Sequence, residues 1–122
     1  MKALSIKQPW ANMIASGRKT IETRKWKTDH RGPLLIVSAK LPDITPAGCA
    51  LAVATLVDCR PMSVLDEPEA QCRKYDGAYA WVLEDIRPIK PFPVQGEMKL
   101  FEVRVAEEEM EFATNDPQQS QL

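Results

Sequence analysis

The apolar positions of this chain fall into short runs separated by turns, not into long amphipathic helices. The runs that favour β-strands cover residues 3–6, 20–26, 34–39, 49–57, 78–86 and 100–105. The runs at 34–39 and 49–57 are almost uninterrupted, which is typical of strands buried on both faces. Strands at this spacing, mostly without intervening helices, predict a small twisted barrel and not alternating βαβ units.

One helix is predicted directly after the first strand. Pro9 fits its first turn, because the N–H that proline lacks would have no helical partner there. Trp10, Met13 and Ile14 recur at helical spacing on one face, and Gly17 is suited to the left-handed conformation that ends a helix. Two turns are too short to be stable alone, so this helix must pack against the sheet.

The second half of the chain is less regular. Residues 64–75 are polar and acidic and hold at most one further short helix. Three prolines follow at 88, 91 and 93, and since proline cannot donate to a central ladder, this segment is expected to be an extended connector or an edge. The pattern as a whole predicts an α+β fold, a small β-barrel of about six strands with one or two short helices.

The length of 122 residues supports one domain with a single core. We expect this domain at 1–106, followed by an acidic and polar tail at 107–122 that is disordered. No apolar run approaches the ~20 residues that span a bilayer, and the N-terminus has no apolar signal segment. These features predict a cytoplasmic protein without a membrane partner, and we expect it to be a monomer.

The cysteines and the histidine do not form a recognisable metal-binding set. Cys49, Cys59 and Cys72 contain no CxxC pair, and His30 is the only histidine. Cys49 and Cys59 lie in an apolar stretch that indicates buried thiols. No metal and no cofactor are therefore expected.

The net charge of −1 conceals an uneven distribution of charge. Residues 1–31 carry eight Lys or Arg against two acidic residues, a balance of +6, which leaves −7 for the rest of the chain. A basic N-terminal third is consistent with a surface that contacts a polyanion. The alternative is that these cations are solvated on separate faces.

The stretch at 17–24 combines charges of both signs where the helix gives way to a strand. Glu22 and Arg24 are two residues apart and share one face of that strand, while Lys19 lies in the turn and can lean in from the rim. A carboxylate held between two cations is a polar anchor for a small planar ligand or a nucleotide. The alternative is an exposed strand whose ion pairs contribute about 0–1 kcal/mol.

These residues also carry a resemblance to a known family. Residues 4–11 (LSIKQPWA) followed by 17–24 (GRKTIETR) resemble the ASCH family of the PUA-like superfamily, whose hallmark G-x-K-x-x-E-x-R is matched at all four fixed positions. Further similar segments follow in family order at 26, 31–36, 77–84 and 100–103. The resemblance covers 3–105 and implies a PUA-like barrel whose cleft is lined by the hallmark residues.

The resemblance implies a protein that binds RNA or a nucleotide, with recognition of a modified base as an extension of that function. The residues expected to contact the ligand are Gln8, Trp10, Lys19, Glu22, Arg24, Trp26, Ser38 and Lys40. Trp10 or Trp26 would stack on a base. For Trp10, at the head of the apolar helix face, and for Trp81, within a strand, the alternative is a place in the core. Ser38 could instead cap a loop backbone.

Two enzymatic alternatives remain open, because relatives include a cytidine deacylase and a ribonuclease. If this protein is an enzyme, Lys19, Glu22 and Arg24 are its catalytic residues, with Lys19 and Glu22 as an acid–base pair. The deacylating branch has threonine where this chain has Glu22, and strand alternation predicts that Thr23 faces away from Glu22.

Two further features of the sequence concern the kind of molecule that this protein binds. Relatives often carry Lys-Gly-Lys where this chain has Gln95-Gly96-Glu97, so phosphate binding is expected to be weaker on that side. A third hypothesis is a protein-interaction module that uses the acidic tail as a contact.

Overall fold

Six strands and two short α-helices make up the part of the chain that the computed structural model describes, residues 1–113. In chain order they are β1 (Lys2–Ile6), α1 (Trp10–Ala15), β2 (Ile21–Arg24), β3 (Gly32–Ser38), β4 (Cys49–Pro61), α2 (Glu67–Ala70), β5 (Tyr79–Pro93) and β6 (Leu100–Glu102). Short 3-10 turns cover Val64–Asp66 and Glu107–Glu109. None of the described helices is long and apolar enough to cross a membrane.

The strands form one curled sheet in the order β2-β5-β4-β3-β1-β6. Every neighbouring pair is antiparallel except β1 and β3, which run parallel because the chain crosses over through α1 and β2 between them. The outer strands are β2 and β6, so the sheet is a six-stranded half-barrel. This architecture confirms the predicted α+β, PUA-like fold.

The core lies on both faces of the sheet, as the two long apolar runs predicted. Leu34 and Ile36 of β3 point into the main cluster, which Ala11 and Ile14 of α1 cover, whereas Leu35 belongs to a second cluster on the opposite face. All five side chains are fully buried. Burial on both faces explains why β3 and β4 lack the usual alternation of apolar and polar residues.

Helix α1 begins without a side-chain cap from its N-terminal residue, Pro9. The side chain of Gln8 replaces that cap, because its Oε1 accepts the Asn12 backbone N–H at 2.9 Å. The helix ends before Gly17, whose φ of +83° is the predicted left-handed stop. Local side chains and backbone conformation therefore define both ends of a helix that is only six residues long.

Strand β5 is longer than the strand predicted at 78–86, since it continues through the three prolines to Pro93. Among the described strands, β2 pairs only with residues 79–82 of β5, so beyond residue 82 the only strand beside β5 is β4. Prolines are tolerated on such a half-open strand because no second ladder needs their N–H. Of the two predicted alternatives, the edge is the one observed.

The chain after β6 returns to this open edge of β5. Lys90 N–H donates to the Glu111 carbonyl oxygen at 2.7 Å, and Ala113 N–H donates to the Pro88 carbonyl oxygen at 2.9 Å. Residues 107–113, assigned above to a disordered tail, thus contain a short turn and backbone contacts to β5. The remainder of that predicted tail, 114–122, lies outside the described residues.

An ion pair fixes the turn that leads from β4 towards α2. Two guanidinium nitrogens of Arg60 donate to the two carboxylate oxygens of Asp66 at 2.7 and 2.9 Å. Asp66 is buried and also accepts the Ser63 backbone N–H at 2.9 Å. The Arg60 hydrogen bonds hold the pKa of Asp66 below its ordinary value.

We expect Asp66→Asn to lower the free energy of unfolding by about 1–3 kcal/mol at neutral pH, because charged hydrogen bonds are lost. Folding lowers the pKa of Asp66. The stabilisation that Asp66 provides is therefore complete at pH values above the unfolded carboxyl pKa of about 3.9. It disappears as the pH falls through the lower pKa of the native state. Urea denaturation at a series of pH values measures the free energy of unfolding.

The matched control is Asp58→Asn. The half-exposed Asp58 carboxylate lies 3.5 Å from Arg60, and its replacement should change stability little. Equal losses of stability in both variants would contradict the role given to the Arg60–Asp66 ion pair.

Candidate ligand-binding cleft

A cleft of about 730 Å³ opens between β2, the end of β1 and the segment that precedes β6. It lies where the half-barrel does not close, because no pairing joins β2 to β6 within residues 1–113. Its wall contains Lys19, Glu22 and Arg24. The sheet thus brings the three charged residues of the sequence motif to one concave surface.

The Glu22 carboxylate lies between two cations, as the sequence predicted. Its Oε1 is 3.4 Å from Lys19 Nζ, and its Oε2 accepts from Arg24 Nε at 3.2 Å and from Arg24 Nη2 at 2.9 Å. The side chains of Lys19 and Glu22 are only 2% and 9% exposed. The alternative of a screened surface ion pair is therefore wrong: this is a buried charge cluster.

Lys19 does not lean in from the rim, as was expected, but extends through the wall of the cleft. Its ammonium group donates to the backbone carbonyl of Ala70 at the end of α2. The neighbouring Thr20 N–H donates to the Glu69 carbonyl oxygen at 2.9 Å. Helix α2 therefore supplies one carbonyl partner that, with Glu22, permits Lys19 to be buried beside β2.

Arg24 links the two strands that border the opening. Besides its bonds to Glu22, its Nη2 donates to the Ser5 backbone carbonyl at 2.9 Å. Ser5 lies near the end of β1, beyond the last residue that pairs with β6. A side chain thus replaces strand pairing across this gap. The Arg24 side chain is 25% exposed and remains accessible from the cleft.

The three tryptophans have different environments. Trp81 is fully buried, as expected for a core residue, and its ring meets that of Trp26 edge-on at 4.7 Å between centroids. Trp26 is partly buried and lines the cleft, with Lys99 Nζ 5.8 Å from its ring centroid. Trp10 also lines the cleft and is 39% exposed. The alternative of a core position for Trp10 is wrong, because Ala11 and Ile14 form the inward face of α1.

The other three predicted ligand contacts lie elsewhere. Gln8 is buried outside the cleft, where its amide caps α1 and donates to the Pro46 carbonyl oxygen at 3.0 Å. The Ser38 hydroxyl is 3.2 Å from the Cys49 carbonyl oxygen and accepts the Cys49 N–H at 3.1 Å, which is the capping alternative. Ser38 and the exposed Lys40 line a smaller adjoining cavity of about 300 Å³.

The cleft also contains residues that the sequence did not indicate. Thr23 lines it despite the alternation that predicted the opposite face, because the cleft wraps around the edge of the four-residue strand β2. Tyr75 donates its hydroxyl to Thr23 Oγ1 at 3.0 Å, and Cys72 Sγ lies 3.8 Å from the same atom. The only feature of the sequence that could have indicated Tyr75 is its position just before β5. The pairing of β5 with β2 was not predicted.

The lining of the cleft is predominantly basic, with five Lys or Arg and two Glu. Four of the five come from the basic N-terminal third of the chain, namely Lys7, Lys19, Arg24 and Lys25. His30 is not among the lining residues, and its Nε2 is 2.9 Å from the Pro33 carbonyl oxygen. Within residues 1–113, no three His, Cys, Asp or Glu side chains converge in a way that could hold a metal ion.

Comparison with known sequences places these features in a family. The family model described as "ASCH domain" matches residues 4–93, most of the chain. Activating signal cointegrator 1 of mouse and that of human are each 25% identical to this chain over an alignment of 127 positions. The alignment covers 82% of this chain but only 22% of either relative, so the likeness concerns one part of a longer protein.

Solved structures show the same fold. The crystal structure of ASCH from Zymomonas mobilis superposes with a TM-score of 0.68 and 21% identity, covering 88% of this chain and 89% of that one. A tyrosine-to-phenylalanine mutant of that bacterial protein gives a TM-score of 0.67 and 20% identity, covering 84% of this chain and 89% of the mutant. At these identities the likeness shows the architecture and not the ligand.

We expect a double-mutant cycle of Lys19→Met and Glu22→Gln to reveal strong coupling. Each single change leaves a buried charge with fewer partners and should cost about 3 kcal/mol. The double variant should then lose at least ~1 kcal/mol less than the sum of the singles. Urea denaturation gives the free energies.

The matched control is the pair Lys90→Met and Glu111→Gln. These groups are 3.6 Å apart, close to the Lys19–Glu22 separation, but both side chains are 74% exposed. Their coupling should not exceed ~1 kcal/mol. Equal coupling in both cycles would contradict the role given to burial.

Proposed function

Because this chain belongs to the ASCH domain family, we propose that it binds RNA or a nucleotide and that its cleft recognises one base of that ligand. The observation that carries this proposal is the position of Glu22, a carboxylate fixed between two cations in the wall of the cleft. Trp10 and Trp26 line the same cleft and provide aromatic surface for a base.

The cluster presents an acceptor beside donors. The Glu22 carboxylate has about four lone-pair positions and receives contacts from Lys19 and Arg24, so it can accept one further hydrogen bond. The Lys19 ammonium donates to the Ala70 carbonyl oxygen and forms an ion pair with Glu22, while the partly exposed Arg24 guanidinium supplies donors that a ligand can reach. A base with an amino group next to an acceptor fits this arrangement, and cytosine has that edge. Guanine offers two adjacent donors and fits less well, because both Glu22 oxygens are already engaged and only one further hydrogen bond can be accepted.

The volume of the cleft allows more than an unmodified base. Cavities of roughly 300–1,000 Å³ hold small organic ligands, and this one is in the upper part of that range. A substituent on the amino group would therefore have room. Lys7 and Lys25 line the cleft as well and would contact phosphate.

We expect the wild-type protein to bind cytidine more tightly than uridine and Glu22→Gln to reduce that ratio about tenfold. A glutamine amide offers a donor that a carbonyl can use, and one good base contact contributes about 1–3 kcal/mol of discrimination. NMR titration with the nucleosides measures both affinities. Trp10→Ala should weaken every base alike, because stacking is tolerant of sequence.

The control is Glu84→Gln, which changes an exposed carboxylate that does not line the cleft. Thermal unfolding of each variant confirms that it is folded. An unchanged ratio in folded Glu22→Gln would refute base recognition by this carboxylate.

A hydrolase is the second candidate, favoured by the 3.4 Å separation of Lys19 Nζ and Glu22 Oε1 in the cleft wall. Glu22 would take a proton from a water or from a ribose 2′-hydroxyl, while Lys19 or Arg24 would stabilise the developing negative charge. Thr23 adds a hydroxyl to the same cleft.

Turnover separates the two candidates. We expect cytidine, N4-acetylcytidine and short single-stranded RNAs to be recovered unchanged after incubation, with binding detected in parallel. Mass spectrometry of the mixture is the measurement. A product that disappears with both Lys19→Ala and Glu22→Ala, but persists with Lys90→Ala, would establish the enzyme instead.

A further inference from the structure

The cleft continues into the smaller cavity of about 300 Å³. Four residues line both spaces, namely Ser5, Ala39, Glu97 and Met98. The two cavities therefore form one groove with a wide and a narrow part, and Ser5 stands at their junction.

The backbone of Gly96 lies close to Ser5 at this junction. A Cβ added at Gly96 would be 3.2 Å from Ser5 Oγ and 3.6 Å from Ser5 Cβ. Gly96 has no positive φ, so a larger residue there is opposed by space and not by backbone conformation. A chain that passes from one cavity to the other must pass this point.

The narrow cavity has the chemistry of a nucleotide subsite. Lys40 is its one basic lining residue among those described, and Gln95 adds an exposed amide. Met98 is 88% exposed and offers a flexible apolar surface next to them. A cation for phosphate, an amide for hydrogen bonds and an apolar surface for a base are thus assembled within one space.

We propose that the narrow cavity binds the nucleotide adjoining the one in the cleft, so that the ligand is a single-stranded RNA of at least two nucleotides and not a free nucleoside. This inference rests on the proposed function of the cleft. In this proposal the connecting phosphate lies at the junction beside Ser5, and Lys40 of the narrow cavity supplies the cation that contacts it.

The second acidic residue of the groove, Glu97, allows a test with the opposite expected effect. Glu97 is exposed and lines both cavities. Its carboxylate repels a phosphate at the junction, so it limits the affinity for a strand. Removing this charge should strengthen binding of two linked nucleotides more than binding of one nucleoside.

The test compares cytidine, which has no phosphate, with the dinucleoside monophosphate CpC, which has one. The affinity ratio of CpC to cytidine should be at least about tenfold in the wild-type protein, because a phosphate contact with Lys40 and burial of a second base against Met98 both add to binding. Lys40→Ala and Gly96→Val should reduce this ratio towards one, and Glu97→Gln should raise it. Lys90→Ala, which removes an exposed lysine outside both cavities, should leave the ratio unchanged.

Salt provides an independent readout. Each phosphate contact with a single strand contributes about −0.7 to the slope of log affinity against log salt concentration. Cytidine binding should therefore be almost independent of salt, and CpC binding should show a slope near −0.7 that Lys40→Ala removes.

The outcomes separate this inference from the proposed function. If cytidine binds and CpC binds no more tightly, the narrow cavity is not a nucleotide subsite, while base recognition in the cleft stands. If Lys40→Ala and Lys90→Ala lower the ratio equally, the effect is general electrostatics and the subsite is refuted. If neither compound binds, the proposed function fails and this inference fails with it.

Discussion

Burial of the Glu22 carboxylate is the constraint on which the rest of this structure depends. A charge removed from water costs several kcal/mol unless ion pairs and hydrogen bonds replace its hydration. Lys19 and Arg24 provide that replacement, and each then needs a partner of its own. Lys19 finds one in the Ala70 carbonyl of α2, and Arg24 finds one in the Ser5 carbonyl of β1. One buried carboxylate thus connects α2, β2 and β1.

The same requirement explains why the cleft lies where it does. A sheet that closed by pairing β2 to β6 would leave no concave surface, and an unsupported gap would expose two strand edges. Arg24 instead joins β2 to the end of β1 through its side chain and leaves the space beside it open. Charges held in this way are already oriented before a ligand arrives, so binding does not have to order them. The stabilising cluster and the candidate recognition site are therefore one set of atoms.

The sequence predicted those features that depend on local spacing. The strands at β3 and β4, the end of α1 at Gly17, and the shared face of Glu22 and Arg24 all follow from periodicity within a few residues. Features that depend on which strands become neighbours were missed. Tyr75 reaches Thr23 only because β5 pairs with β2, and the exposure of Trp10 is decided by which side of α1 meets the sheet. Strand pairing has no signal in a single sequence, and the periodicity of α1 did not separate an inward face of Ala11 and Ile14 from one that includes Trp10.

The charge distribution limits the kind of binding that this cleft can support. The cleft is lined by five basic and two acidic residues, yet the whole chain has a net charge of −1. At physiological ionic strength, screening acts over about 8 Å, so the acidic remainder of the chain does not cancel the local attraction inside the cleft. It does remove the long-range field that would draw a polyanion from solution. Under the proposed function, contact with a ligand then depends on fit within the groove, where the buried carboxylate and the junction at Ser5 are the proposed points of discrimination. A protein with this distribution is suited to selecting a particular short segment and is poorly suited to coating nucleic acid without preference.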